Sequence, residues 1–342
     1  PYKSLLTHGF AVDGQGRKMS KSVGNVVAPQ KISDTLGAEI LRLWVANTDY
    51  AGELSISDEI LKRVVESYRR IRNTMRFLLS NVADFDASTD SIELDEMLEI
   101  DRYAMAMTAQ MQAQVCKHYD AYEFQPAITR IQSFCSEDLG AFYLDILKDR
   151  LYTEATTGLM RRSAQTALLH ITQTLLKLMA PVLSFTAEEA WQSLLVTSLK
   201  QMPALEQKTI FTQCYQTQPT LEDEVMLHDK WSRIREIRAV VLRDLEDLRS
   251  AGKIGASLQA EIIISATQAD YDLLSSLGDQ LKFVMIVSKA SLELGQTLAI
   301  NATPSNAQKC GRCWHYVSDL GVDPQHPDIC GRCSKNLNHA NH

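Results

Sequence analysis

Two clusters of residues in this chain have the types and spacing to do chemistry. The first is Lys18-Met19-Ser20-Lys21-Ser22, preceded by Asp13-Gly14-Gln15-Gly16-Arg17 and followed by Val23-Gly24-Asn25. Arg17, Lys18 and Lys21 put three cations within five positions, and the glycines allow turns that other residues resist. Such a loop can grip a triphosphate, but its composition also fits a plain solvated connection. The second cluster is Cys310-Gly311-Arg312-Cys313, repeated as Cys330-Gly331-Arg332-Cys333 after sixteen residues.

Two cysteine pairs at this spacing fit a four-cysteine zinc ribbon. Two residues between the cysteines let both sulfurs of a knuckle reach one ion, and glycine lets the backbone turn tightly around them. Four thiolates close the shell of one structural zinc per chain, which leaves no position for water or substrate. A redox dithiol would sit at a strand-to-helix turn, whereas both knuckles lie in a Gly/Pro-containing tail. Disulfides do not suit a reducing compartment. Cys116, Cys135 and Cys214 are dispersed and read as buried or incidental, and His315 and His326 are spare once four sulfurs bind. Trp314 has two open readings, a plug for the ribbon's small core or a surface on which a base stacks. Arg312 and Arg332, at the knuckle tips, favour a nearby phosphate.

These clusters need a scaffold. At 342 residues with 45% apolar content, the chain can bury a sizeable core in two or more compact units. A formal net charge of −7 argues against nucleic-acid binding by the whole surface, so contact with RNA needs a local basic patch. No apolar run is long enough for a membrane span and there is no signal peptide, which fits the cytoplasm.

Residues 1–52 read as the end of a nucleotide-binding domain with a connector, anchored by Ile40, Leu41, Leu43, Trp44 and Val45. From Ser57, an expected N-cap followed by Asp58 and Glu59, apolar residues recur at helical steps from Leu61 to Val82. Lys62, Arg63, Arg69, Arg70, Arg72 and Arg76 occupy the other face. Arg69, Arg72 and Arg76 form one stripe, which fits a solvated face and a phosphate contact equally well. Further helices are expected at about 98–120, 122–150 and 160–180, the last stopped by Pro181. Thr186-Ala187-Glu188-Glu189 has capping-box spacing for a short helix carrying a core Trp191. Residues 198–222, with Pro203 and Pro219, read as a loop. A long helix follows from about 224 to a stop at Gly252, with Arg233, Arg235, Arg238 and Arg243 on its outer faces. Strands at 261–265, 283–287 and 298–300 around a helix near 269–278 make a small α+β unit.

The pentapeptide Lys18–Ser22 resembles the KMSKS loop of class I aminoacyl-tRNA synthetases, and Gly37-Ala38-Glu39-Ile40-Leu41-Arg42 resembles the segment that follows it there. Tyr143–Arg150 and Met179–Trp191 resemble the helical anticodon-binding domain of the Ile/Val/Leu-type enzymes. A terminal four-cysteine ribbon is similar to that of bacterial-type isoleucyl-tRNA synthetases, whereas valyl enzymes end in a coiled coil and leucyl enzymes in another appendage.

The resemblance implies a mainly α chain in four parts. They are the end of a Rossmann-type catalytic domain at 1–52, a helical-bundle anticodon-binding domain at 53–252, a small α+β unit at 253–303 and a zinc ribbon at 304–342. It implies that Lys18–Ser22 bind ATP, taken with magnesium as substrate, and that Lys21, supported by Lys18, neutralises the departing pyrophosphate. It further implies isoleucine and tRNA(Ile) as partners, tRNA contacts at Arg69, Arg72, Arg76 and Trp314, zinc at Cys310, Cys313, Cys330 and Cys333, and a cytoplasmic monomer. None of the eight histidines lies in the family's His-x-Gly-His motif. The chain therefore reads as a C-terminal fragment that is inactive alone. A valyl- or leucyl-type fragment and a free-standing tRNA-binding module are the alternatives.

Overall fold

The computed structural model describes residues 2–200 and 208–339. Pro203 and the last residues of the expected ribbon lie outside them. The chain divides into two compact units, Pro1–Ser91 with Met107–Phe142 and Gln165–Thr220, and Ile92–Ala106 with Tyr143–Ala164 and Leu221–His342.

In the first unit, strand β1 (Ala11–Val12) is followed by helices α1 (Pro29–Leu36) and α2 (Ala38–Ala46) and then by β2 (Leu54–Ser55), which pairs parallel with β1. Helix α3 (Asp58–Asn81) starts as expected, with the Ser57 hydroxyl accepting from Ile60 N. Its inner face buries Leu61, Val64, Ile71, Met75 and Leu78. Each fully buried side chain of this kind contributes about 1.5–3 kcal/mol.

Helices α4 (Glu99–Asp120), α5 (Phe124–Ser133), α6 (Leu144–Thr153) and α7 (Leu159–Met179) follow. The helix expected over 122–150 is not regular, because Phe134–Tyr143 forms a π-helical stretch between α5 and α6. Helix α8 (Ser184–Val196) begins two residues before the expected capping box and has no side-chain cap of its own at Leu183. Thr186 and Glu188 serve other partners. The Thr186 hydroxyl donates to Glu39, and Glu188 accepts from the Thr209 hydroxyl and Ile210 N at 2.8 Å each. Trp191 is core as expected, its indole N–H donating to Lys208 O at 2.9 Å.

In the second unit, α9 (Glu224–Ser250) buries Leu227, Trp231, Ile234, Val241 and Leu245 and ends before Gly252, whose φ of 69° suits glycine. Strand β3 (Ala260–Ala266) leads to α10 (Gln268–Ser275), α11 (Leu281–Met285), β4 (Lys289–Leu294) and β5 (Ala299–Pro304). The sheet order is β4-β3-β5, with β4 parallel and β5 antiparallel to β3. The expected strand at 283–287 is therefore a correction. Val284 and Met285 are buried on α11, which ends with Ile286 left-handed, and the strand follows at β4. A second correction concerns Arg238, which is buried and donates to Val284 O at 2.8 Å instead of lying on an outer face. Strands β6 (Gln308–Lys309) and β7 (Tyr316–Val317) pair antiparallel, and α12 (Gly331–His339) closes the described chain. No helix among the described residues is long and apolar enough to cross a membrane.

A buried ion pair organises this unit. Asp101, 0% exposed, accepts from both Arg150 terminal nitrogens at 2.8 and 2.9 Å, from the Tyr143 hydroxyl at 2.8 Å and from the Ser163 hydroxyl at 2.6 Å. Burial, followed by the Asp101 charge, pushes the Tyr143 phenol well above its ordinary value. Removing one partner leaves a buried charge uncompensated, so Asp101→Ala should cost about 3–5 kcal/mol. Denaturant unfolding of the variant checks this, and a loss under about 1 kcal/mol would make the network energetically idle.

Candidate catalytic loop and zinc cluster

The loop at 13–25 is organised on one carboxylate. Asp13 Oδ1 accepts from the backbone amides of Gln15 and Arg17 at 3.0 Å, and Oδ2 accepts from Arg17 Nε and the Asn25 amide at 2.9 Å each. These donors, first the Asn25 amide and then the Arg17 backbone N–H, hold the Asp13 carboxyl well below the ordinary carboxylate range. Asn25 also accepts from Ser20 N at 2.9 Å and donates to Lys18 O at 3.3 Å, so one side chain joins both halves of the loop. Gly16 and Gly24 turn at φ 74° and 72°, a region that costs other residues.

The three cations of the loop are therefore not equivalent. Arg17 is paired with Asp13 at 2.8 Å. Lys18 lies with its ammonium 4.1 Å from the Phe10 ring centroid. Lys21 is exposed, and among the described residues no carboxylate lies within ion-pair distance of it. Two exposed ammonium groups on a folded turn suit a polyphosphate, with Met19 and Ser20 between them and Ser22 directly after.

The four knuckle cysteines converge as their spacing implies. Their sulfurs all lie within 4.8 Å of one another, with Cys310–Cys333 and Cys313–Cys330 at 3.8 Å. Zinc–sulfur bonds of about 2.3 Å give a regular tetrahedron with edges of about 3.8 Å, so the donor set fits the ion. The knuckle glycines sit in tight quarters and not at positive φ. A Cβ on Gly311 would stand 3.2 Å from Asp328 O, and one on Gly331 would stand 3.0 Å from an Asp319 carboxylate oxygen.

The cluster has a small apolar surround, Ile329 with Val317, Leu320 and Leu337. The end of α6 anchors it. Arg332 makes two bonds to Asp149 at 2.5 and 2.8 Å, and Arg312 donates to Thr153 O at 2.6 Å. Arg332 is therefore committed to Asp149 and not free for a phosphate, which corrects the sequence reading for that residue. Burial disfavours the Arg332 charge, but the Asp149 carboxylate outweighs it and keeps the guanidinium firmly protonated. Trp314 is not a core plug. It is 61% exposed at φ 66°, and the Lys309 ammonium lies 5.2 Å from its ring centroid.

On α3, Arg69, Arg72 and Arg76 are all exposed. Arg69 pairs with Glu66 at 2.6 Å, whereas Arg72 and Arg76 have no ion-pair partner among the described residues.

Three family profiles match the chain: "tRNA synthetases class I (I, L, M and V)" over residues 1–57, "Anticodon-binding domain of tRNA ligase" over 101–264, and "Zinc finger found in FPG and IleRS" over 307–336. An isoleucine–tRNA ligase of Bordetella petrii is 65% identical over 338 residues, 98% of this chain and 36% of that protein. Over the length it spans, the chain is similar to isoleucine–tRNA ligases. Another, from Cupriavidus taiwanensis, is 58% identical over 341 residues, 98% of this chain and 35% of that protein. The chain thus spans about a third of the length of the curated relatives it matches. A solved methionyl-tRNA synthetase of Mycobacterium tuberculosis, 22% identical, aligns with 62% of this chain and 42% of that chain at a TM-score of 0.45, too loose a likeness to argue from.

Two residues that organise this loop escaped the sequence reading as anything but flanks. Asp13 opens an Asp-Gly turn, a signal of local side-chain capping that could have marked it. Nothing local marks Asn25, whose partner Asp13 lies twelve positions away.

Proposed function

We propose that this chain is part of an isoleucine–tRNA ligase, which joins isoleucine and ATP to isoleucyl-adenylate with release of pyrophosphate and then passes the acyl group to the terminal ribose of tRNA(Ile). The 65% identity sustained over 98% of the chain carries this reading. ATP, taken with magnesium, meets Lys18-Met19-Ser20-Lys21-Ser22. Lys21 is the main cation and Lys18 its support, acting as charge builds on the departing pyrophosphate. Charge stabilised only in the transition state raises the rate without over-binding substrate.

Under this reading Cys310, Cys313, Cys330 and Cys333 hold one structural zinc, and Arg69, Arg72, Arg76 and Trp314 contact tRNA. The four-part division at 52, 252 and 303 and a cytoplasmic monomer belong to the same proposal. Binding of tRNA tests the chain's own share. Replacing Arg69, Arg72 and Arg76 together by alanine should weaken tRNA binding roughly tenfold or more at moderate salt and lower the slope of log K against log salt by about 2–3. An unchanged affinity and slope would make the stripe a solvated face.

A further inference from the structure

Helix α2 grips the corner between α7 and α8, at the open start of α8 and at the carbonyls of the turn before it. A helix leaves its first N–H groups and its last C=O groups without internal partners. At the start of α8, the amides of Phe185 and Thr186 both donate to Glu39 Oε1, at 2.8 and 3.2 Å, and the Thr186 hydroxyl donates to Oε2. Just past α7, Val182 O and Pro181 O accept from Arg42 Nε and Nη2 at 2.8 and 2.7 Å, and Nη2 also reaches Ser184 Oγ at 3.2 Å.

A carboxylate thus sits at the positive end of α8, where the helix dipole favours it, and a guanidinium holds two carbonyls of the turn that leads into α8. The two side chains stand three positions apart on α2, so they project from one face. Glu39 is buried, and a carboxylate removed from water requires such donors. The cluster also reaches α3, because the Tyr68 hydroxyl lies 2.8 Å from Thr186 Oγ1, one residue before the basic stripe begins at Arg69.

We infer that Glu39 and Arg42 are positioning residues that fix the catalytic-loop segment against the helices carrying the basic stripe, so that tRNA held on α3 delivers its acceptor end in register with the activated amino acid. The inference rests on the proposed ligase function. Neither residue touches substrate in this role, so the step that needs no tRNA is spared.

In the full-length enzyme, Glu39→Ala should lower kcat for tRNA charging by about tenfold or more, since small misplacements of reacting groups are costly. The KM for tRNA and isoleucine-dependent pyrophosphate exchange should stay within about twofold of the unsubstituted enzyme. Glu39→Gln, which keeps an acceptor oxygen for the two amides, should restore most of the loss. Arg42→Ala should behave like Glu39→Ala, and the double variant should be no worse than the poorer single one. Parallel losses in both half-reactions, a raised KM with kcat kept, or no change at all would overturn the clamp. If Glu39→Ala does not fold, Thr186→Val carries the same comparison. An unsubstituted enzyme inactive in both half-reactions would sink the ligase function and the clamp's role with it. An active enzyme whose variants are unaltered would sink the clamp alone.

Discussion

Lys21→Ala in the full-length enzyme should slow isoleucine-dependent pyrophosphate exchange by about 10²–10³, the range that follows loss of one preorganised charge-stabilising donor. The loss should fall on kcat, with the KM for isoleucine nearly unchanged, because the cation is needed when pyrophosphate charge develops and not when the amino acid binds. The structure supplies the reason for choosing Lys21 among the three loop cations. Arg17 is held by Asp13 and Lys18 lies over Phe10, whereas Lys21 is exposed with no carboxylate partner among the described residues. Lys18→Ala should therefore be the milder variant. Turnover unchanged in Lys21→Ala would remove the loop from the chemistry.

Loss of the zinc should have the second large effect, and it should be local. Structural zinc contributes about 10–16 kcal/mol to small four-ligand modules at neutral pH, far more than the few apolar side chains around this cluster can supply. Cys310→Ser should lower the zinc content from one per chain to near none and unfold the segment from about residue 308, while far-UV circular dichroism still reports the long helices. The bonds from Arg312 to Thr153 O and from Arg332 to Asp149 tie the knuckles to α6, so their release should expose the end of that helix to proteolysis. Charging of tRNA should fall steeply and pyrophosphate exchange should stay nearly intact. Equal losses in both would show that the ribbon supports the whole fold instead of positioning tRNA.

Features that depend on near neighbours in the chain were legible. The apolar period of α3, its Ser57 cap, the stop at Gly252 and the doubled cysteine knuckle are all short-range patterns, and the structure contains each of them. The failures share a different cause. Phe283–Val287 is an apolar run of five, too short for periodicity to separate strand from buried helix, and packing made most of it helical. Arg238 and Arg332 read as surface charge because the groups that receive them, Val284 O and Asp149, are 46 and 183 positions away. Thr186-Ala187-Glu188-Glu189 had the spacing of a local cap, but a carboxylate on another helix took that role. Charge and spacing fixed what each side chain could do, and distant contacts decided which of those things it did.

The central claim, that this chain belongs to an enzyme that activates isoleucine, is tested most directly by pyrophosphate exchange with the full-length enzyme, offered isoleucine, valine, leucine and methionine in turn. Exchange should depend on an added amino acid, and kcat/KM should be highest for isoleucine. A higher kcat/KM for any of the other three, or no amino-acid-dependent exchange at all, would contradict it.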